Sequence, residues 1–201
     1  MYNSFIWDFD GTIFDSYPHI SSAMAKMAEN NGIEGTLSEM RAALEVSFAT
    51  AYNVFHLTRE QIDEFRAYEK DVNFKPEVTP FEKTEMVLKA VLEKGGKNYI
   101  YTHRGQASTI YYLEKYDLSK YFSALITADD GFPLKPNPDA LLHLSEKFCI
   151  DKQKALMIGD REIDVLSGVN AGMDGCLITN KTNESCAKYI VSDISEILKL
   201  I

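Results

Sequence analysis

The sequence has few cysteines and no long apolar run, and both shortages exclude classes of protein. Its three cysteines, Cys149, Cys176 and Cys186, are odd in number, widely spaced and without a histidine at metal-ligand spacing. This pattern argues against a disulfide framework and a zinc site, so we expect three reduced, structural thiols. The longest apolar runs, such as 124–126 and 155–158, are far too short to cross a bilayer, and no membrane partner is expected.

Positive charge is also scarce. The formal net charge is -9, with 21 lysines and arginines against 30 aspartates and glutamates. Proteins that bind the phosphate backbone need a basic stripe, and because none is present, nucleic acid is not expected as a partner. The chain also lacks a basic leader with a small-residue cleavage site, which favours a cytoplasmic protein.

Five short apolar segments predict the strands of a sheet: 2–9, 98–102, 124–127, 155–158 and 175–178. Helical patterns fall between them over 81–93, 106–116, 138–148 and 162–170. In the first of these helices, Met86, Leu88, Val91 and Leu92 are predicted to form the apolar face. The alternation of strand and helix predicts a parallel sheet covered on both faces.

The stretch 17–78 differs from the rest of the chain. It has helical periodicity over 19–29, 37–44 and 59–72, and no convincing strand. We therefore predict a helical insert after the first strand, with hinges near Ser16 and Pro76. The predicted division is 1–16 with 79–201 for the core and 17–78 for the insert.

Four short polar segments each fall where a predicted strand ends, which is the edge at which open parallel sheets bind ligands. Their candidate site residues are Asp8, Asp10 and Gly11; Thr102, His103 and Arg104; Lys135; and Asp160 and Asp164. Asp8 and Asp10 are two residues apart at a strand end and repel each other unless a cation is bound. Magnesium, a hard ion that prefers oxygen ligands, suits such a pair.

Each segment also has a simpler explanation when it is taken alone. Asp-x-Asp-Gly is often only an acidic turn, and a threonine such as Thr102 often ends a strand or caps a helix. A single lysine is usually solvated, and acids such as Asp160 and Asp164 commonly cap a helix start. The common order and placement of the four segments favour one shared site.

Together the four segments resemble the signature motifs of the haloacid dehalogenase-like superfamily. The resemblance covers essentially the whole chain and points to the branch of phosphoglycolate phosphatases and beta-phosphoglucomutase. It implies an α/β fold, with a Rossmann-like doubly wound parallel sheet core and a small all-helical cap inserted after the first strand. It also implies a magnesium-dependent hydrolase, a phosphatase of small phosphorylated metabolites that forms an aspartyl-phosphate.

The resemblance further implies roles for the motif residues. Asp8 would be the nucleophile, Asp10 the general acid and base, and Thr102 and Lys135 the residues that hold the phosphate. The implied ligands of Mg²⁺ are Asp8, Asp10 and Asp160, with Asp164 in support. The implied substrate contacts are Gly11, Thr102, His103, Arg104 and Lys135.

The segment His103-Arg104 departs from the family pattern, since many relatives carry small or amide residues there. Arg104 would either clamp a second anionic group of the substrate or lie in solvent or loop packing, and we favour the second interpretation. Two other functions stay open: a sugar-phosphate mutase, and a non-enzymatic phosphometabolite-binding protein, against which the intact motifs argue. The expected assembly is a monomer or a weak homodimer, and the substrate is not identified.

Overall fold

The computed structural model describes residues 1–181 and 184–201. The chain forms two compact units, one of Met1–Phe14 with Pro80–Ile201 and the other of Asp15–Thr79, which we call the sheet unit and the helical unit. The predicted boundaries lie within one or two residues of these. In the part of the chain that is described, no helix is long and apolar enough for a membrane crossing.

The sheet unit is built on a six-stranded sheet in which all neighbouring strands are parallel. Its strands are β1 (Ser4–Trp7), β4 (Lys97–Tyr101), β5 (Phe122–Ile126), β6 (Ala155–Gly159), β7 (Asp174–Ile178) and β8 (Tyr189–Val191), in the order β5-β4-β1-β6-β7-β8. Two short strands, β2 (Phe14–Asp15) and β3 (Thr79–Pro80), form a separate pair. Because β1 lies between β4 and β6, the loops that follow these three strands start side by side. The predicted parallel α/β sheet is confirmed.

The helices of the sheet unit follow the predicted alternation. They are α5 (Thr84–Glu93), α6 (Gln106–Lys115), α7 (Asp139–Phe148) and α8 (Glu162–Asn170). In α5 the buried residues are 84, 87, 88 and 91, the i, i+3, i+4, i+7 spacing of one helix face. The predicted apolar face was wrong for Met86 and Leu92, which are 49% and 37% exposed because they lie off this stripe.

The helical unit contains α1 (Tyr17–Asn31), α2 (Leu37–Val46), α3 (Phe48–Val54) and α4 (Arg59–Lys70). Helices α2 and α4 each begin with a capping box, in which the side chain of the residue before the helix and that of the third helical residue each accept from the other's backbone N–H. The two pairs are Thr36 with Glu39 and Thr58 with Gln61. Met24, Met27, Leu44 and Phe65 belong to its buried core. Helix α3 was not predicted, because only Ala51 of its seven residues is buried and no periodic pattern results.

Asn98 is a buried amide that connects β4 to its surroundings in the sheet unit. Its Oδ1 accepts a hydrogen bond from the Trp7 indole at 2.9 Å, and its Nδ2 donates to the carbonyls of Leu88 at 2.9 Å and Tyr121 at 3.2 Å. The side chain thereby satisfies three polar groups, and its bonds to Trp7 and to the Leu88 carbonyl are buried. Such buried groups are costly when they lose their partners.

We expect Asn98→Ala to lower the free energy of unfolding by about 3 kcal/mol, because it leaves one donor and two acceptors unsatisfied. Urea denaturation measures this loss. The matched control is Lys97→Ala, its exposed neighbour on the same strand. A loss below about 1 kcal/mol for Asn98→Ala would contradict this interpretation.

Candidate active site

The motif residues gather at one edge of the sheet. Asp8 directly follows β1, and its backbone N–H donates to the Ile158 carbonyl of β6 at 2.8 Å. Thr102 directly follows β4, and its N–H donates to the Ile126 carbonyl of β5 at 3.0 Å. These bonds continue the parallel ladders beyond the strands. They fix the first residue of each loop before the chain leaves the sheet.

Lys135 is the centre of the site. Its Nζ donates to Asp8 Oδ1 at 2.5 Å, to Asp164 Oδ1 at 2.9 Å and to the Tyr101 carbonyl at 2.8 Å. The side chain of Lys135 is 0% exposed, and those of Asp8 and Asp164 are 1% and 0% exposed. All three protons of the ammonium group are therefore engaged. One cation joins the loop after β1 to helix α8.

Burial and charge act in opposite directions on these three groups. Burial raises the pKa of Asp8 to about 6, although the Lys135 ammonium opposes this shift. Burial also disfavours the charge of Asp164, but its attraction to Lys135 and Arg161 lowers the pKa of this carboxyl. Burial works against the charge of Lys135 as well, yet the two carboxylates raise its pKa. Lys135 is thus held as an ammonium beside Asp164 as a carboxylate.

Three carboxylates in the site fit a divalent cation. Asp8, Asp160 and Asp164 each offer one oxygen, and these oxygens lie within 4.8 Å of one another. Asp8 Oδ2 is buried and has no hydrogen-bond partner among the described residues. Three carboxylates this close repel one another, and a hard cation with oxygen ligands would balance the negative charge that they share. The residues present therefore fit Mg²⁺.

Asp10 is not one of the three carboxylates of this cluster, and the metal-ligand role that the resemblance implied for it stays a prediction. Its carboxylate pairs instead with Arg104, whose Nη2 lies 2.8 Å from Asp10 Oδ1. The side chain of Arg104 is 1% exposed, so of the two environments that we favoured, solvent and loop packing, solvent was wrong. The physical reason is that a buried guanidinium needs an anionic partner, and the carboxylate at the end of the neighbouring strand provides it.

The side chains of Thr102 and His103 each accept a hydrogen bond from a backbone N–H in the loops around Lys135. The Thr102 hydroxyl accepts from the Arg104 N–H at 3.0 Å, which leaves its own proton to donate. The His103 Nε2 accepts from the Lys135 backbone N–H at 2.8 Å. Burial, with the nearby Lys135 charge, lowers the pKa of His103 to about 4, so the ring is neutral at pH 7. His103 therefore fixes the backbone at Lys135 through this hydrogen bond.

Gly11 shapes the turn after Asp10. It has a φ of +77°, which favours glycine, and its N–H donates to the Phe14 carbonyl at 2.8 Å. The backbone amide of Gly11 is therefore used within the turn, and the predicted contact of Gly11 with substrate stays a prediction.

Three contributors to the site were not predicted from the sequence. The Thr12 hydroxyl lies 3.4 Å from Asp160 Oδ1, and the Arg161 backbone N–H donates to Asp164 Oδ2 at 3.0 Å. The third is the Tyr101 carbonyl, which accepts from Lys135. Thr12 and Arg161 could have been suspected from their positions next to motif residues. A backbone carbonyl carries no sequence signal.

We expect Lys135→Met to lower the free energy of unfolding by about 3–5 kcal/mol in EDTA, because it leaves the buried Asp8 carboxylate without its ammonium partner and Asp164 with Arg161 alone. Urea denaturation measures the change, and added Mg²⁺ should restore part of it. The control is Lys188→Met, which removes a 53% exposed lysine paired with Asp174 and should cost at most about 1 kcal/mol. Equal stability of Lys135→Met and the wild type without divalent cations would contradict the bridging role.

Comparisons with known proteins agree with this architecture. Residues 5–178 match the profile of the family described as haloacid dehalogenase-like hydrolase. The chain is 25% identical to a phosphoglycolate phosphatase from Aquifex aeolicus, over 98% of this chain and 95% of that protein. It is also 25% identical to the pyrophosphatase PpaX from Halalkalibacterium halodurans, over 88% of this chain and 83% of that protein.

Solved structures show the same fold. A haloacid dehalogenase superfamily hydrolase of subfamily IA from Geobacter sulfurreducens PCA superimposes with a TM-score of 0.78 at 24% identity, and the match covers 100% of both chains. The predicted resemblance and the prediction of a phosphatase enzyme are confirmed by these matches. The chain belongs to the haloacid dehalogenase-like hydrolase family.

Proposed function

We propose that this enzyme is a magnesium-dependent phosphatase of small phosphorylated metabolites, with Asp8 as the nucleophile. The observation that carries the proposal is the buried Asp8 Oδ2, which has no hydrogen-bond partner among the described residues while Oδ1 is held by Lys135. One oxygen of the carboxylate is thus fixed, and the other is left to react. The proposed metal ligands are Asp8, Asp10 and Asp160, with Asp164 in support.

The geometry supports a reaction in two steps. Asp8 Oδ2 attacks phosphorus in line with the leaving oxygen, and the P–O bond to that oxygen breaks as the aspartyl-phosphate forms. Asp10 gives a proton to the leaving oxygen and then takes a proton from the water that hydrolyses the acyl phosphate. That water releases inorganic phosphate and regenerates the Asp8 carboxylate.

Lys135 and Thr102 would hold the phosphoryl oxygens during both steps. The ammonium group supplies positive charge, and the Thr102 hydroxyl has its proton available because it accepts from the Arg104 amide. Mg²⁺, when bound, would neutralise further charge on the phosphoryl oxygens. Lys135 also favours the ionised form of Asp8 when a second anion arrives.

We propose further that residues 1–16 and 79–201 form the catalytic core and that 17–78 form a cap that contributes specificity. The names of the relatives suggest phosphoglycolate and pyrophosphate as first substrates to test. Phosphate release from a panel of phosphorylated metabolites, with and without Mg²⁺, tests the function. Magnesium-dependent release supports it, whereas interconversion of sugar phosphates without net release would indicate a mutase.

We expect Asp8→Asn to abolish phosphate release while the fold is retained, because an amide oxygen is a poor nucleophile. Initial rates measure activity, and circular dichroism with urea denaturation checks the fold. Glu162→Gln is a matched control, since it makes the same acid-to-amide change on helix α8, where Glu162 accepts hydrogen bonds from the Ser185 hydroxyl and the Cys186 N–H. Turnover that persists in Asp8→Asn would refute the assignment of the nucleophile.

We expect Mg²⁺ to bind more weakly as the pH falls below 6. Burial raises the pKa of Asp8 to about 6, so protons compete with the cation for this carboxylate below that pH. Because Mg²⁺ binds only the ionised carboxylate, the affinity for Mg²⁺ should fall about tenfold for each pH unit below 6 and level off above 7. Calorimetric titration measures it, and Asp8→Asn should bind weakly with less pH dependence. An affinity of the wild type that stays constant from pH 5 to about 7.5 would contradict the prediction.

A further inference from the structure

Arg104 and Asp10 form a close ion pair beside the site. Arg104 Nη2 donates to Asp10 Oδ1 at 2.8 Å, and Nε lies 3.1 Å from Oδ1 and 3.3 Å from Oδ2. The arginine side chain is 1% exposed, whereas the aspartate side chain is 21% exposed. The guanidinium is therefore enclosed, and the carboxylate it holds keeps access to solvent.

The guanidinium is fixed from several directions. Its carbon lies 5.3 Å from the centre of the Phe9 ring and 5.6 Å from that of Tyr112, and both rings are buried. The Arg104 backbone is held as well, because its N–H donates to Thr102 Oγ1 at 3.0 Å and its carbonyl accepts from the Ala128 N–H at 3.1 Å. Moving the side chain toward a bound substrate would break the ion pair and both ring contacts.

We propose that Arg104 is the positioning residue for Asp10: the ion pair fixes the orientation of the carboxylate that transfers the proton. The proposal rests on the proposed phosphatase function. A general acid and base has to be held within a fraction of an ångström of its productive position, and displacement by about 1 Å can cost 100-fold in rate. Two donors on one guanidinium edge restrain a carboxylate in a way that one lysine ammonium does not.

The assignment replaces the expectation that Arg104 contacts substrate. A residue that clamps a second anionic group of the substrate affects mainly substrate binding. A residue that positions Asp10 affects the chemical step. Loss of a substrate clamp should raise KM and leave kcat unchanged, whereas loss of a positioning residue should lower kcat and leave KM unchanged.

Steady-state phosphate release at saturating Mg²⁺ separates these roles. Arg104→Met should lower kcat about 100-fold and leave KM within about twofold of the wild type. Arg104→Lys should recover about tenfold of the lost kcat, since it restores the charge without the two-donor geometry. Ser108→Ala is the control and should keep the wild-type rate, because it removes only the hydroxyl 3.5 Å from Arg104 Nη1. A large rise in KM with an unchanged kcat in Arg104→Met would overturn the proposal.

A double-mutant cycle with Asp10→Asn tests whether Arg104 acts through Asp10. Arg104→Met should lower the rate of the Asp10→Asn enzyme by less than about twofold, because the group that it positions is already lost. A further loss of about 100-fold in the double variant would overturn the proposal. If Arg104→Met does not fold, the same cycle with Arg104→Lys decides in the same way, with a smaller effect.

A crystal structure of Arg104→Met provides a readout that does not depend on turnover. The proposal predicts that the Asp10 carboxylate leaves its present orientation or becomes disordered in this variant. An unchanged Asp10 side chain would overturn it. A wild-type protein that releases no phosphate from any tested compound would refute the proposed function, and the structure of the variant would still decide the role of Arg104.

Discussion

The bridge from the Lys135 ammonium to the carboxylates of Asp8 and Asp164 is the interaction on which the rest of the site depends. All three side chains are buried, so each charge requires the others. The Arg161 guanidinium also lies 3.6 Å from Asp164, but these two cations do not balance three carboxylates, because Asp160 lies at the same place. The excess negative charge makes the site suitable for a cation, and the unpartnered Asp8 oxygen gives that site a reactive atom.

The order of the strands brings these charges together. Because β1 lies between β4 and β6, Asp8, Thr102 and Asp160 leave the sheet at neighbouring points. The close fit of helix α8 completes the site: a Cβ added at Gly159 would lie 2.2 Å from the Asp164 Cβ. A glycine at the end of β6 is therefore required for Asp164 to approach Lys135. The order of the strands and the glycine at the end of β6 together bring the charged side chains into one site.

Much of the architecture could be predicted from the sequence, because each central strand is a buried apolar run that ends in turn residues. Strand β8 (Tyr189–Val191) was not predicted, since it has only three residues and none of them is fully buried. The convergence of the motif residues followed from their placement at strand ends. The pairing of Arg104 with Asp10 could not be predicted, because the two residues are 94 positions apart and an arginine after a strand has no distinctive pattern. Long-range pairing of charges depends on the packed structure.

The most direct test of the account is a crystal structure with Mg²⁺ and beryllium fluoride, which mimics a phosphoryl group on a carboxylate. If Asp8 is the nucleophile, beryllium will be bonded to Asp8 Oδ2, with the cation held by Asp8 and Asp160 and with Lys135 and Thr102 facing the fluorides. Beryllium fluoride bound elsewhere, with Asp8 unmodified in the presence of both ions, would contradict the claim that this carboxylate is the nucleophile.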